Sequence, residues 1–320
     1  MKPGNEVVCA GILVADHVCT PMTRLPGPGH LVAVEGMYLL TGGCAANVGV
    51  NVAKQGIGVQ VLGKVGDDYW GRFVREDLAS RGVDTSSILI SDSHQTSQTM
   101  ILLCQGEDRR FVHTFGANGA LGAADIRKEI LEGASVFYLG GYLVLPGLNP
   151  DDLAALFRFC RSRGIKTVLD VVIPTGFIYN GELEPVLPYT DVFMPNNDEA
   201  EMLTGESDPV RQVQALRGRG TETVMVTMGG DGLLYAQGDR IWQARHFPSS
   251  VVDQTGAGDA FCAGYIAGMV RGMSLEDCIH YGSVLGASCV RSIGCYQGVF
   301  NREQVEEFLR ENRLDIQVVV

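Results

Sequence analysis

The sequence predicts an α/β fold, in which helices flank a doubly wound, mostly parallel sheet and a small β-sheet forms a lid. Short segments rich in valine and isoleucine recur along the 320 residues, and most are followed by a segment of helical character. Two other segments have strand character but no helical segment of their own. We expect one domain over residues 1–320, with lid strands within about 14–41 and 96–116.

The main sheet is predicted to begin with a strand over residues 7–14. The later strands are short and β-branched, as buried strands are. Helices are predicted where small and apolar residues repeat at helical spacing. The later strands are 59–63, 136–139, 166–170, 192–194 and 223–227, and the helices are 44–54, 69–81, 151–163, one from about 197, 257–270, 275–289 and 302–309.

The lid is predicted from the two segments that interrupt this alternation. Residues 31–40 alternate without helical periodicity, and residues 96–115 have the pattern of a β-hairpin with its turn at 106–109. We expect them to cover a site at the edge of the sheet. The alternative is that they are antiparallel edge strands of the main sheet. His113, on the predicted lid, could contact a ligand or be an ordinary surface residue.

The composition excludes several classes of protein. Apolar residues make up 46% of the chain, and the formal net charge of -12 disfavours binding to nucleic acids. No apolar run approaches the roughly 18 residues of a membrane helix, and the N-terminus has no cleavage-site pattern. The nine cysteines form no C-x-x-C pair, so we expect free buried thiols in a cytoplasmic protein.

The segment VVDQTGAGDAF, residues 251–261, places a glycine turn before a predicted helix. A helix N-terminus offers free N–H groups and a positive dipole end to an anion. Asp259 lies in the first turn. It could simply be a favourable charge at the helix terminus, or it could accept a hydroxyl proton during phosphoryl transfer. A dinucleotide-binding fingerprint is excluded because Phe261 replaces its third glycine.

A second glycine turn, in TGGCAANVGVN at 41–51, also precedes a predicted helix. Gly42 and Gly43 would let a ligand approach the backbone, and Asn47 lies one turn further on. Asp16 is expected at the end of the first strand, where open α/β sheets bind ligands. The alternative is an ordinary helix start with one solvated face.

Two further motifs follow predicted strands. In MPNNDEAEMLTG, 194–205, Asn196 and Glu199 could cap a helix or hold a hydrated Mg²⁺ beside phosphates. In VTMGGDGLLY, 226–235, the glycine turn could form a hairpin or approach a nucleotide. Residues 58–65 have the spacing of a P-loop, but valine replaces the required Ser or Thr, and the alternation there predicts a strand.

Together these motifs resemble the ribokinase-like (pfkB) family of carbohydrate and nucleoside kinases, over roughly residues 5–312. The resemblance rests on two long signatures, GGCAANVGVNVAKQGIGVQVLGKVGDDYWG and DQTGAGDAFCAGY, with the motifs N-x-x-E and T-x-G between them. It implies a ribokinase-like fold with a β lid and a homodimer formed through the lid strands. It also implies phosphoryl transfer from ATP to a primary hydroxyl.

The resemblance assigns a role to each motif residue. Asp259 would be the general base, and Glu199 would hold Mg²⁺ through water. The other assignments are Gly256, Ala257 and Gly258 for an anion hole; Asp16, Gly42, Gly43 and Asn47 for the acceptor hydroxyls; Asn196, Glu199, Thr227, Gly229 and Gly232 for ATP with its Mg²⁺; and Asp253 and Thr255, with a loop at 292–294, for a monovalent cation such as K⁺.

Two departures from the family pattern concern the acceptor. Residues 140–142, Gly-Gly-Tyr, stand where ribokinases have an acidic residue that contacts the sugar. Residues 171–174, Val-Val-Ile-Pro, stand where many sugar kinases have Asn and Arg, which removes a positive group for a phosphate or carboxylate. We therefore expect a neutral acceptor of the ribose or fructose type. A nucleoside kinase, or a non-catalytic sugar or nucleotide sensor, are the alternatives.

Overall fold

The structure is a computed structural model that describes residues 5–107 and 110–320. The strands are β1 (Val7–Gly11), β2 (Val14–Cys19), β3 (Met37–Gly42), β4 (Val59–Gly66), β5 (Asp84–Ser91), β6 (Gln98–Leu102), β7 (Arg110–Thr114), β8 (Val136–Gly140), β9 (Lys166–Leu169), β10 (Val192–Phe193), β11 (Thr223–Thr227), β12 (Leu233–Gln237), β13 (Arg240–Ala244) and β14 (Ile316–Val318). The helices are α1 (Cys44–Lys54), α2 (Tyr69–Ser80), α3 (Lys128–Leu131), α4 (Pro150–Ser162), α5 (Asn197–Thr204), α6 (Pro209–Arg217), α7 (Ala257–Val270), α8 (Leu275–Cys289) and α9 (Arg302–Glu311). Across the two described ranges, no helix has both the length and the apolar character that crossing a membrane requires.

The large sheet confirms the predicted fold class. Its strand order is β14-β13-β12-β11-β10-β9-β8-β1-β4-β5. Seven neighbouring strands run parallel to one another: β11, β10, β9, β8, β1, β4 and β5. Beyond β11 the sheet continues with β12, β13 and β14, each antiparallel to the strand before it. Every residue of β1 and β8 is buried, as in a parallel sheet covered on both faces. The carboxyl ends of the parallel strands meet at one edge, where such sheets bind ligands.

The small sheet is separate from the large one, so the lid interpretation is confirmed and the edge-strand alternative is wrong. Its order is β3-β2-β6-β7, in which β2 pairs antiparallel with β3 and parallel with β6. β6 and β7 form the predicted hairpin, although residues 108 and 109 of the predicted turn lie outside the described residues. The strand predicted at 31–40 begins later, as β3.

The prediction of one continuous strand over residues 7–14 is wrong. β1 ends at Gly11 and β2 begins at Val14, so the chain leaves the large sheet between them and enters the lid. Gly11 has φ 139°, and a Cβ there would lie 2.1 Å from the carbonyl oxygen of Gly140 on the neighbouring strand. Asp16 therefore lies on a lid strand and not at the end of the first strand of the main sheet.

Asn118 fixes this junction between the two sheets. Its side chain is fully buried, its Oδ1 accepts a hydrogen bond from the Leu13 N–H at 3.0 Å, and its Nδ2 donates to the Leu13 carbonyl at 2.9 Å. Leu13 lies between β1 and β2, so the amide of Asn118 satisfies the backbone groups that a neighbouring strand would otherwise pair.

α7 and α8 pack with their backbones unusually close together. A Cβ on Gly264 would lie 2.7 Å from the Cα of Gly282, and a Cβ on Gly268 would lie 2.7 Å from the Sγ of Cys278. Small residues allow this approach, and the packing leaves α7 little freedom to shift. The N-terminus of α7, which carries the most informative motif, is therefore held in a fixed position.

We expect Asn118→Ala to lower the free energy of unfolding by about 2–4 kcal/mol, because two buried backbone groups of Leu13 would lose their partners. Urea denaturation measures this change. Asn312→Ala is the matched control, since Asn312 is exposed and donates one bond to the Phe308 carbonyl. Its effect should stay below about 0.5 kcal/mol. Equal losses in the two variants would contradict the role of Asn118.

Candidate functional site

Two helices at the site begin with glycine in place of a side-chain cap. Gly43 precedes α1 and Gly256 precedes α7, and neither helix start has a side-chain cap bond from any described residue. The other helices of eight or more residues in the described ranges are capped by Asp, Asn or Ser side chains. Apart from the Ala257 N–H, which donates to the Gln254 carbonyl at 3.3 Å, the first N–H groups of α1 and α7 are therefore available to a ligand.

A hydrogen bond between Asn47 and Asp259 joins these two helix starts. Asn47 Nδ2 donates to Asp259 Oδ2 at 2.8 Å, although the two residues are 212 positions apart. Asn47 is 4% exposed, and its Oδ1 has no hydrogen-bond partner within the part of the chain that the structure describes. A buried amide oxygen is rarely left unpaired. Its position indicates a ligand that brings a donor, such as a hydroxyl.

The glycines before and within the first turn of α7 differ in what surrounds them. Gly256 has φ 77°, and a Cβ there would lie 2.5 Å from the Cβ of Cys295, so the packing requires glycine. A Cβ on Gly258 would meet no described heavy atom within 4 Å. The space beside Gly258 is therefore open, and Ala257 lies between the two at the positive end of the helix dipole.

Asp16 reaches the same region from the lid. A Cβ on Gly42 would lie 1.8 Å from Asp16 Oδ2, so the carboxylate rests against the backbone where β3 ends. Gly43 has φ 92°, and a Cβ there would lie 2.4 Å from the Ile12 carbonyl oxygen. Both glycines of the predicted motif are therefore required by close packing, and together they bring Asp16 next to the start of α1.

Four carboxyl groups cluster at the site, and burial raises the pKa of each. The pKa of Asp16 and of Asp259 rises to about 6, and that of Glu199 to about 7. Burial also raises the pKa of Asp170 well above its ordinary value, and the negative charges of Glu199 and Asp259 raise it further. The neighbouring charges are thus mutually repulsive, so a cation bound among these groups would stabilise their ionised forms.

Asp170 belongs to this cluster although no motif assigned it there. It follows β9, and its Oδ2 accepts a hydrogen bond from the Tyr138 hydroxyl at 3.2 Å. One oxygen of Asp170, one of Asp259 and the Sγ of Cys44 lie within 4.8 Å of one another. The signal available in the sequence was a carboxylate directly after a central strand, at the edge where α/β sheets bind ligands.

Asn196 and Glu199 form a capping box at the start of α5. Asn196 Oδ1 accepts from the Glu199 N–H, and Glu199 Oε2 accepts from the Asn196 N–H, both at 2.9 Å. This geometry agrees with the capping interpretation. The negative charge of Asp259 also raises the pKa of Glu199, which indicates that Glu199 lies near the carboxylate cluster. Thr227 forms a β-bridge with Asn196, so the structure brings these two motifs together.

The glycine turn after β11 leads into β12, as the hairpin interpretation predicts. Gly232 has φ 86°, and a Cβ there would lie 2.1 Å from the Ala244 carbonyl oxygen, so the fold itself requires this glycine. Gly229 has φ 55°, and a Cβ there would meet no described atom within 4 Å. There is room for a ligand beside Gly229, whereas Gly232 packs against β13.

Asp253 joins two loops beneath the lid. Its Oδ1 accepts from the N–H and the hydroxyl of Thr255, at 2.9 and 2.6 Å, and its Oδ2 accepts from the Gly294 N–H at 3.1 Å. The Oγ of Ser292 is buried and has no partner within the described ranges. A small cavity here is lined by Asp16, Thr41, Asp253, Thr255, Gly294 and Cys295.

The arrangement combines three chemical capabilities. The open first turn of α7 can bind an anion, and Asp259 beside it can accept a proton when ionised. Asp16 and Asn47 can bind the polar groups of a second ligand close to Asp259. The carboxylates around Asp170 and Glu199 would favour a divalent cation beside the anion.

Comparisons with known proteins agree with this chemistry. A family model described as pfkB family carbohydrate kinase matches residues 5–301. Ribokinase of Haemophilus influenzae is 28% identical over 304 residues, which span 93% of this chain and 96% of that protein. Two solved structures resemble the fold: Arabidopsis thaliana ribokinase complexed with ribose and ATP (TM-score 0.82, 24% identity, 96% of this chain, 99% of that chain) and a putative ribokinase II from E. coli in complex with ATP and Mg²⁺ (TM-score 0.83, 23% identity, 96% and 99%).

We expect alanine to have opposite effects at the two glycines of the α7 turn. Gly256→Ala should lower the free energy of unfolding by at least about 2 kcal/mol, because the methyl group overlaps Cys295 and φ is positive. Gly258→Ala should leave it unchanged or raise it by up to about 1 kcal/mol, because alanine is the better helix former. Urea denaturation of both variants measures the difference. A loss at Gly258 as large as at Gly256 would show that the space beside Gly258 is not open.

Proposed function

The chain belongs to the pfkB family of carbohydrate kinases, phosphotransferases that act on an alcohol group, and we propose that it transfers the γ-phosphoryl group of ATP to a primary hydroxyl of a neutral sugar or sugar-like acceptor. Acceptors of the ribose or fructose type are favoured. The observation that carries this proposal is the Asn47–Asp259 hydrogen bond, which places a carboxylate between an open helix N-terminus and an unpaired amide oxygen.

In the proposed reaction Asp259 is the general base. As the acceptor oxygen forms its bond to the γ-phosphorus, the bond from that phosphorus to the β–γ bridging oxygen breaks, and ADP leaves. The hydroxyl proton passes to the Asp259 carboxylate. The N–H groups of the 256–258 turn and the dipole of α7 stabilise the negative charge on the transferred group. The raised pKa of Asp259 brings its basicity closer to neutral pH, where a general base works best.

The acceptor would bind between the lid and the start of α1. Asp16 would accept hydrogen bonds from two of its hydroxyls, and the unpaired Oδ1 of Asn47 would accept another. Gly42 would act indirectly, because its lack of a side chain lets the Asp16 carboxylate lie against the backbone, and Gly43 would allow the close packing at the start of α1. Since the neighbouring charges that raise the pKa of Asp16 and Asp170 are carboxylates, a phosphorylated or carboxylated acceptor would be repelled.

ATP would lie along the sheet edge beside Asn196, Thr227 and Gly229, with Gly232 shaping the turn. The donors present fit a hydrated Mg²⁺: Glu199 is a half-buried carboxylate near other carboxylates, and the nearby Asn197 Oδ1 is buried without a partner among the described residues. Mg²⁺ held by Glu199 through water would neutralise phosphate charge. Asn196 would keep the Glu199 carboxylate oriented through their reciprocal bonds.

A monovalent cation such as K⁺ would fit between the loops joined by Asp253. Thr255 and the 292–294 loop supply oxygen ligands there. Among the described residues the buried Ser292 Oγ has no hydrogen-bond partner, and a cation or a water molecule would give it a contact. Such a cation would help to fix the loop that leads into α7. Comparing turnover in K⁺ with turnover in a bulky organic cation tests this proposal.

We further propose a cytoplasmic homodimer formed through the lid strands. The lid exposes large apolar side chains, among them Met37, Tyr38, Met100, Phe111 and Val112. Such a group of exposed apolar residues is typical of a contact surface. All nine cysteines are free and buried, as expected in a reducing compartment. Sedimentation velocity measures the oligomeric state.

The proposed function is tested by measuring ADP release with Mg²⁺ and ATP across a panel of acceptors. We expect turnover with neutral sugars of the ribose or fructose type, and at least about tenfold lower kcat/KM for their phosphorylated counterparts, since one unfavourable charge contact costs at least about 1.4 kcal/mol. Preferred turnover of nucleosides would instead assign a nucleoside kinase. Tight binding of a sugar or nucleotide without turnover would favour a non-catalytic sensor and contradict the proposal.

We expect Asp259→Asn to lower kcat at least ~10²-fold, because the amide cannot accept the hydroxyl proton. Its melting temperature should change little, since Asn can still accept the hydrogen bond from Asn47. Steady-state kinetics and thermal unfolding measure the two effects. Asp239→Asn is the matched control, because Asp239 is fully exposed on the turn between β12 and β13. Near-normal turnover of Asp259→Asn would refute the assignment of the base.

The same assignment sets the pH dependence of the unmodified protein. Folding raises the pKa of Asp259 to about 6, so the ionised form that can accept a proton is lost as the pH falls through that value. We therefore expect kcat/KM for the acceptor to fall as the pH decreases through this value, because the carboxylate cluster becomes protonated.

A further inference from the structure

Side chains of α1 donate hydrogen bonds to backbone carbonyls in the loop that follows α8. Asn51 Nδ2 donates to the Cys295 carbonyl at 3.1 Å, and Lys54 Nζ donates to the Tyr296 carbonyl at 3.1 Å. Asn51 lies one helical turn after Asn47, so the two asparagines share one side of the helix. α1 therefore contacts the site through Asn47 near its start, and it contacts this loop through side chains further along.

The Asn51 side chain is fully buried, and its amide has one possible orientation toward the loop. A carbonyl oxygen can only accept a hydrogen bond, so Nδ2 must face Cys295. The Oδ1 of the same amide has no hydrogen-bond partner among residues 5–107 and 110–320. The Cys295 carbonyl also accepts from the Cys289 thiol, at the longer distance of 3.5 Å. Because a buried unpaired oxygen opposes stability, we expect the net contribution of Asn51 to folding to be small.

Cys295 is the residue through which this loop meets the start of α7. A Cβ added to Gly256 would lie 2.5 Å from the Cβ of Cys295, so these two residues pack directly against each other. Gly294 donates its N–H to Asp253 Oδ2 at 3.1 Å, and Gly294 and Cys295 both line the small cavity beneath the lid. A displacement of the Cys295 backbone would therefore remove the support behind the 256–258 turn.

We propose that Asn51 is a positioning residue that holds Cys295 against the 256–258 turn and so fixes the separation of the acceptor hydroxyl from the γ-phosphoryl group. This inference rests on the proposed function, in which the acceptor binds at the start of α1 and the phosphoryl group at the start of α7. The Asn47–Asp259 bond joins the two helix starts directly, and the Asn51–Cys295 bond supports the start of α7 from behind. Two separate contacts resist a relative tilt that one contact would permit, and a small misplacement of the reacting groups slows their reaction.

Substitution of Asn51 should lower kcat without weakening the binding of either ligand. Asn51→Leu removes the donor and the unpaired oxygen with little change in volume. With the sugar that gives the highest turnover, we expect kcat to fall about three- to tenfold, the effect of one hydrogen bond, and both KM values to change less than about twofold. The melting temperature should change little, because the lost bond and the removed oxygen offset each other. Asn51→Ala removes the same donor without filling the space and should lower kcat to the same extent.

Lys54→Met is the matched control, because Lys54 donates the same kind of bond to the next carbonyl of the loop. The Tyr296 hydroxyl donates to Asp77 on α2 at 3.2 Å, so a second contact holds this part of the loop. Lys54→Met should leave kcat within about twofold of the unmodified protein. Equal losses of kcat in Asn51→Leu and Lys54→Met, or a rise in KM with kcat unchanged in Asn51→Leu, would overturn the positioning role.

A measurement independent of turnover follows the contact directly. Cys295-Tyr296 is the only Cys-Tyr pair in the sequence, so carbon-13 in the cysteine carbonyls with nitrogen-15 in the tyrosines selects this one peptide bond for NMR. The carbonyl resonance should move to lower chemical shift in Asn51→Leu, because the oxygen loses its stronger donor. If no acceptor is phosphorylated but this shift is found, the proposed function fails while the contact that holds Cys295 stands. An unshifted resonance in Asn51→Leu would overturn the inference whatever the kinetics show.

Discussion

The contact between Asn47 and Asp259 is the interaction on which the site depends. It joins the starts of α1 and α7, which are more than 200 positions apart in the sequence, and it can form only because the fold makes both helices begin at the same place. Both helices begin with glycine, so their free N–H groups remain available where a side-chain cap would have filled them. The fold thus brings a carboxylate, an amide oxygen and two open helix starts into one small space.

The clustering of carboxyl groups lowers the stability of the folded protein at neutral pH, although it supplies the charged groups that the proposed reaction needs. Asp16, Asp170, Glu199 and Asp259 all have raised pKa values in the folded protein, so folding favours their protonated forms. Such groups stabilise the fold at low pH, and that contribution is lost as the pH rises through their folded-state pKa values. Above about pH 6 to 7 the folded protein carries ionised groups that repel one another. A bound divalent cation and an acceptor rich in hydroxyl donors relieve this repulsion, which couples ligand binding to stability.

Sequence patterns predicted the parts of this structure that depend on local chemistry. The glycine turns, the bounds of α1 and α7 and the pairing of Asn196 with Glu199 follow from short-range preferences. The path from β1 into the lid could not be predicted, because residues 7–14 form an uninterrupted apolar run and the break depends on Gly140 and Asn118, which are distant in sequence. The strands β13 and β14 were missed because Arg240 and Gln243 interrupt the apolar pattern of β13, and β14 has only three residues. Asp170 had no motif around it, and only the sheet places it beside Asp259.

The lid combines a polar row with an apolar one, and this combination explains how a lid strand can carry a binding carboxylate. Val18, Ile101 and Phe111 lie two residues along from Asp16, Thr99 and His113 on the same face, and the first two are buried. Val18 and Ile101 line the same small cavity as Asp16, so they limit the access of water to its carboxylate, whereas His113 on the edge strand β7 is exposed. A carboxylate on a mobile loop would have to be ordered when the acceptor binds. On a strand whose register fixes its neighbours, Asp16 is already oriented, and less free energy of binding is lost to ordering it.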